Sequence, residues 1–151
     1  MKSLFFLIVI CTLVGCSNSK RIGIQYEYNG IVVTRFDKDA ESRFYYGRLN
    51  KEDSSMPYVY AKYAGFDGSM DGYLVFKNDK TVELVPLMYF VENGNPSKLS
   101  LKEYNNNTLL NAWQDSIKGR YDNVVRISDN LNIERQRNAE NYSNVNVKYS
   151  R

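Results

Sequence analysis

Carboxylates and phenols are the reactive side chains that this 151-residue chain carries in quantity; imidazole is absent, and thiols are confined to Cys11 and Cys16. Everything after Cys16 therefore has no thiolate nucleophile, no intramolecular disulfide, no zinc site of Cys and His, and no Ser-His-Asp arrangement. A histidine pH switch is excluded on the same ground.

Spacing limits what the carboxylates can do. Asp37, Asp39 and Glu41 alternate like the first ligands of a calcium loop, but Ser42 stands where the loop needs Gly and Arg48 where it needs Glu. A solvated charged turn is the better reading. The stretch from Asp67 to Gly72 presents two Asp-Gly pairs, which serve tight turns before they serve ligands. Acid-pair glycoside hydrolysis needs two carboxyls about 5 Å apart in a retaining enzyme. No spacing among Asp37, Asp67, Asp71 and Glu83 singles out such a pair, so a carboxylate-dependent hydrolase is the weakest reading. Ser17-Asn18-Ser19-Lys20 matches Ser-x-x-Lys only formally, because that motif acts at the start of a helix in a pocket. No metal site and no cofactor are expected.

Tyrosine is the compositional oddity, with 13 in the chain. In Tyr58-Val59-Tyr60-Ala61-Lys62, strand alternation puts Tyr58, Tyr60 and Lys62 on one face. Such a face suits an aromatic platform for sugar rings or a protein partner, since Tyr offers a large contact area with a polar tip at low entropic cost. Ordinary half-buried sheet packing accounts for the same residues.

The opening residues supply an address. Met1-Lys2-Ser3 is a short positive region, and Leu4 to Val14 is apolar apart from Thr12. That run is roughly 11 residues, about 16 Å as a helix, against the ~20 residues and ~30 Å of a membrane span. Leu13-Val14-Gly15-Cys16 follows, and here the chain resembles the bacterial lipoprotein signal class. The resemblance implies cleavage between Gly15 and Cys16, and a diacylglyceryl thioether with acyl chains such as palmitate on the Cys16 sulfur. Cys11 would leave with the leader. One acyl chain holds a protein only marginally, whereas two or more anchor it stably. By the same resemblance Ser17, where Asp would favour the inner membrane, points to the outer membrane of the cell envelope if the host is Gram-negative.

These features need elements to carry them. A hydrophobic content of 43% and a charged content of 25% are ordinary for a globular domain. With the leader removed the net charge is about +2, too small a bias to imply nucleic acid. Asn29-Gly30 between alternating β-formers predicts a hairpin with a type I′ turn, in which Tyr28 faces Ile31, Tyr26 faces Val33 and Ile24 faces Arg35. Ile22, Ile24, Tyr26, Tyr28, Ile31 and Val33 then share a core face, while Gln25, Glu27 and Thr34 face solvent or a partner. Strands are predicted at 44–49, 58–64, 73–76 and 81–91, the last edged or bulged at Pro86. Asn107 or Thr108 caps a helix to Lys118 carrying Leu109, Leu110, Trp113 and Ile117, with an earlier start open at the Ser100 to Glu103 capping box. Asp122 caps a second helix through Val124, Ile127 and Leu131, unless Asn123 to Ile127 is a strand. The last ten or so residues fray, or add a strand through Val145, Val147 and Tyr149.

The expectation is an α+β fold, mainly antiparallel sheet with two or more hairpins and one or two C-terminal helices packed on it. Residues 1–15 form the leader, 16–21 a tether, and 22–151 one domain. Functionally the sequence points to a non-enzymatic, lipid-anchored envelope protein with a protein partner at the membrane surface; a glycan-binding module using Tyr58, Tyr60 and Lys62 is the alternative.

Overall fold

The computed structural model describes residues 22–38, 41–62, 70–87, 90–104, 106–117, 122–140 and 143–149. The local signal that starts the fold is the Asn29-Gly30 pair. Both residues sit at positive φ, 48° and 77°, as a type I′ turn requires, and they join strand β1 (Ile22–Tyr28) to β2 (Ile31–Lys38). The register is the predicted one, with Tyr28 opposite Ile31, Tyr26 opposite Val33 and Ile24 opposite Arg35.

From this hairpin the chain builds β3 (Glu41–Tyr46), β4 (Tyr58–Lys62), β5 (Asp71–Phe76) and β6 (Val82–Pro86). It continues through β7 (Phe90–Asn93), β8 (Leu99–Leu101), α1 (Asn107–Ile117), β9 (Val124–Ser128), α2 (Leu131–Glu140) and β10 (Asn146–Tyr149). A six-stranded sheet has the order β10-β1-β2-β3-β4-β7, and a four-stranded sheet the order β8-β6-β5-β9. All pairings are antiparallel except β6 with β8. The fold is therefore α+β and mostly antiparallel sheet, with its helices in the C-terminal third, as the patterning predicts.

The two sheets face each other across one apolar core. Ile24, Tyr26, Val33 and Phe44 line it from the larger sheet, and Leu74, Phe76, Leu84 and Ile127 from the smaller. The outer face of the smaller sheet carries a second cluster, Tyr73, Val75, Val85 and Val124, covered by Leu110 and Trp113 of α1. Leu109, predicted on the same apolar stripe, instead faces solvent at 52% exposure, because the docking line runs through 110 and 113. No helix of the described residues is long and apolar enough to cross a membrane.

Several local expectations change. The predicted 81–91 strand ends at Pro86, and β7 crosses to the six-stranded sheet. Ser100 to Glu103 caps nothing; Leu99–Leu101 is β8, drawn parallel to β6 by tertiary pairing. The cap of α1 is Asn106, whose Oδ1 accepts from the Leu109 N–H at 2.9 Å. Residues 124–128 are strand, and α2 starts three residues later, where Asn130 Oδ1 accepts from the N–H groups of Asn132 and Ile133. Asp71-Gly72 is not a turn but the start of β5; a Cβ on Gly72 would lie 2.9 Å from the Val85 carbonyl oxygen. Asp67-Gly68 lies outside the described residues. Thr34, expected at the surface, is fully buried: the chain after β3 folds back so that Thr34 Oγ1 donates to the Gly47 carbonyl (2.6 Å) and accepts from the Leu49 N–H.

Candidate functional site

Strand alternation divides the outer face of the six-stranded sheet into two halves. Across β1 and β10 it is charged, with Glu27 held by Arg48 (2.8 Å) and Lys148 (3.3 Å). Across β2, β3 and β4 it is aromatic. Phe36 lies 6.0 Å from Tyr45, Tyr45 lies 5.3 Å from Tyr58, and Tyr58 lies 5.9 Å from Tyr60, centroid to centroid. Phe36 and Tyr45 are buried at one end of this ladder, and Tyr58 and Tyr60 form its half-buried rim.

The ladder is framed by charge. The Arg43 guanidinium sits 5.0 Å over the Tyr58 ring and pairs with Glu41 and with Glu52. Glu52 also accepts from the Tyr45 hydroxyl at 3.1 Å. Burial and the adjacent Glu52 carboxylate push the Tyr45 phenol well above the ordinary tyrosine value. Burial alone would lower the Arg43 pKa, but the Glu41 and Glu52 carboxylates outweigh it and hold the guanidinium charged. This phenol and guanidinium donate hydrogen bonds and stack; they transfer no proton near neutral pH.

Of the residues singled out in the sequence, Tyr58 and Tyr60 thus lie side by side on one face, with ring planes 59° apart rather than coplanar. The Lys62 side chain, Gly15 and Cys16 lie outside the described residues. Of the named carboxylates, Asp67 lies outside the described residues, and the other three each hold different cationic partners. Asp37 binds Arg35 (2.6 Å) and Ser42 on the six-stranded sheet. Asp71 binds Arg126 and Arg137 on the other sheet, and Glu83 binds Lys77 (2.9 Å). Asp71 lies four residues along β5 from Val75, the register partner of Glu83, which separates those two acids by roughly 13 Å along the strands. That exceeds either glycosidase spacing. Among the described residues no group of three or more Asp, Glu, Cys or His could hold a metal ion.

One polar constellation was missed. Arg35 and Glu134 are both fully buried between the sheets and α2, paired at 3.0 Å. Glu134 also accepts from the Tyr26 hydroxyl (3.0 Å) and the Ser128 N–H (2.8 Å). Arg35 further donates to the Ser128 carbonyl (2.9 Å). Burial raises the Glu134 carboxyl above the ordinary glutamate value, and the three donors recover only part of that cost. Burial likewise disfavours charge on Arg35, but Tyr26, Asp37 and Glu134 outweigh it and its pKa rises. The signal was present in the sequence, because the hairpin register that places Val33 in the core also places Arg35 there. Comparison with protein-family models, curated proteins and solved structures found no match.

Proposed function

We propose that the chain is a lipid-anchored cell-envelope protein without catalytic activity, which binds a protein partner at the membrane surface through the rim of its tyrosine ladder. The observation that carries the binding reading is the run of four rings from Phe36 to Tyr60, bordered by Arg43, Glu41 and Glu52. Large rings with polar tips next to a guanidinium are the side chains enriched where proteins bury contact area. The leader-like segment running into Leu13-Val14-Gly15-Cys16 supports the anchor, with lipid on Cys16 and outer-membrane placement in a Gram-negative host. A glycan-binding reading using Tyr58, Tyr60 and Lys62 is weaker, because a sugar ring stacks best on a flat aromatic surface and these two rings are tilted by 59°.

Two substitutions separate the parts of this reading. With Cys16→Ala, the mature domain no longer fractionates with membranes and loses the acyl mass; unchanged fractionation and mass would overturn the anchor. With Tyr58→Ala and Tyr60→Ala together, affinity capture from the native envelope loses the partner that the wild-type protein retains. Retention of the same partner would remove the ladder as its contact. Loss of binding to immobilised envelope polysaccharide instead would favour the glycan module.

A further inference from the structure

α2 lies along β9, the outer strand of the smaller sheet, and a cleft of about 340 Å³ separates it from β10, an outer strand of the larger one. That volume is at the small end of ligand sites, room for a headgroup rather than a whole amphiphile. Its apolar wall is Ala139, Val145 and Val147. Two of its polar groups are committed elsewhere: the Asn138 carboxamide clamps the N–H and the carbonyl of Arg126 on the β9 edge, at 2.9 Å each, and Ser143 Oγ donates to the Val124 carbonyl at 2.6 Å. The other two are Arg135 and Tyr149, with the guanidinium 4.1 Å from the ring centre. Stacking on a ring fixes the plane of a guanidinium and keeps its fork of N–H groups ready for a ligand.

Among the described residues no carboxylate lines the cleft, and none lies within ion-pair distance of Arg135. The adjacent Glu134 carboxylate is turned to Arg35. Burial and that carboxylate raise the Tyr149 pKa, so the phenol keeps its proton and can donate. The cleft thus offers one full positive charge and a hydroxyl donor beside an apolar wall.

Register places it at one end of the molecule. Tyr149 stands opposite Ile24, two residues from Ile22, where the tether meets the sheet. Residues 17–21 span at most ~18 Å, and two strand residues with one strand spacing add ~12 Å. A lipid on Cys16 therefore keeps the cleft within about 30 Å of the membrane surface. At that range even a weak site meets headgroups at high effective concentration.

We propose that this cleft takes the phosphate of an anionic phospholipid in the membrane that holds Cys16, with the Arg135 fork and the Tyr149 hydroxyl on the phosphate oxygens and the glycerol against Ala139 and Val147. Arg matches phosphate bidentately. A phosphatidylglycerol headgroup suits the site, because choline or ethanolamine would bring its own cation to Arg135. The membrane as source rests on the anchor reading above; the cleft does not. A bound headgroup is a second attachment beside the lipid on Cys16, and it stops the domain from swinging on its tether, which fixes the direction the tyrosine ladder faces.

The full chain reconstituted into vesicles tests this, phosphatidylcholine alone against phosphatidylcholine with phosphatidylglycerol, with amide exchange read across β10 and α2. With phosphatidylglycerol these amides are expected to exchange about fivefold more slowly, the protection given by a site four-fifths occupied. Arg135→Gln removes the difference; Arg135 is exposed, so that variant keeps the fold. Lys38→Gln, which deletes an exposed cation at the same end of the molecule, leaves the difference intact. Equal rates in both vesicle types overturn the site. So does a loss as large with Lys38→Gln as with Arg135→Gln, which would mean diffuse attraction of charge to the surface. The same protection from inorganic phosphate in phosphatidylcholine vesicles overturns the lipid as ligand. A chain that floats with neither vesicle type overturns the anchor and the membrane source with it, a result distinct from one that floats with both and shows no difference.

Discussion

The two helices solve one problem by opposite means. α1 covers the outer face of the four-stranded sheet with apolar side chains: Leu110 and Trp113 pack on Tyr73, Val75, Val85 and Val124, with the Trp113 ring edge-on to Tyr73 at 5.3 Å. α2 lies along β9 and is attached by a buried ion pair, an amide clamp and a cation over a ring. Apolar docking is tolerant of position, because dispersion and water exclusion fall off gradually as side chains shift. Polar docking is intolerant, because a buried charge that loses its partner keeps its full desolvation cost.

The largest break in this contrast is expected from Glu134→Ala. It leaves Arg35 buried with Asp37 as its remaining carboxylate, and should cost about 3 kcal/mol, the low end for breaking a buried pair, read from the urea midpoint. A loss under about 1 kcal/mol would mean that the pair contributes little to holding α2. Trp113→Ala should cost about 2–3 kcal/mol, less than for a fully buried Trp because the ring is half-buried. Its signature is different: slower loss of β9 edge protection than in Glu134→Ala, measured by amide exchange. The paired replacement Arg35→Met with Glu134→Leu should fall within about 1–2 kcal/mol of wild type, since apolar groups of similar volume often replace a buried ion pair without loss. A drop as large as that of Glu134→Ala would show that the hydrogen bonds to Tyr26 and Ser128 matter more than the charges.

The smallest effect is a pH component. Glu134 holds its proton more tightly when folded than when unfolded, so between those two pKa values the folded state binds more protons. Stability from this group is thus fully present below the unfolded value and declines as pH rises through the folded one. Subtracting the urea profile of Glu134→Gln from that of wild type should isolate this decline, starting near the ordinary glutamate value. A difference that rises with pH over that window would reverse the sign and contradict the burial of the carboxyl.

The same contrast explains what was legible in the sequence. The β1–β2 hairpin was readable to the residue, because the Asn29-Gly30 turn and strand alternation are both local. α1 was readable from Leu110 and Trp113 at helical spacing, although Leu109 turned outward. β8 and α2 were not. Leu99–Leu101 is strand only because β6 lies alongside it, and α2 has almost no apolar periodicity to detect. Thr34 was misplaced because nothing near it shows that residues 47–49 return to cover it. The tyrosine rim was visible as alternation in 58–62, but its Arg43 and Glu52 frame joins residues from three segments that only the fold brings together.

The pairing of β10 with β1 has a consequence for how the molecule comes into being. Lys148 meets Glu27 across 121 positions of sequence, so the larger sheet gains β10, one of its two edge strands, only after nearly the whole chain is available. Contacts this distant are slow to form, because the connecting chain must be closed before they contribute. As the chain emerges from its N-terminus, β1 has β2 beside it early but its other edge stays open until residues 146–149 arrive. Completion of this sheet is therefore a late step of folding.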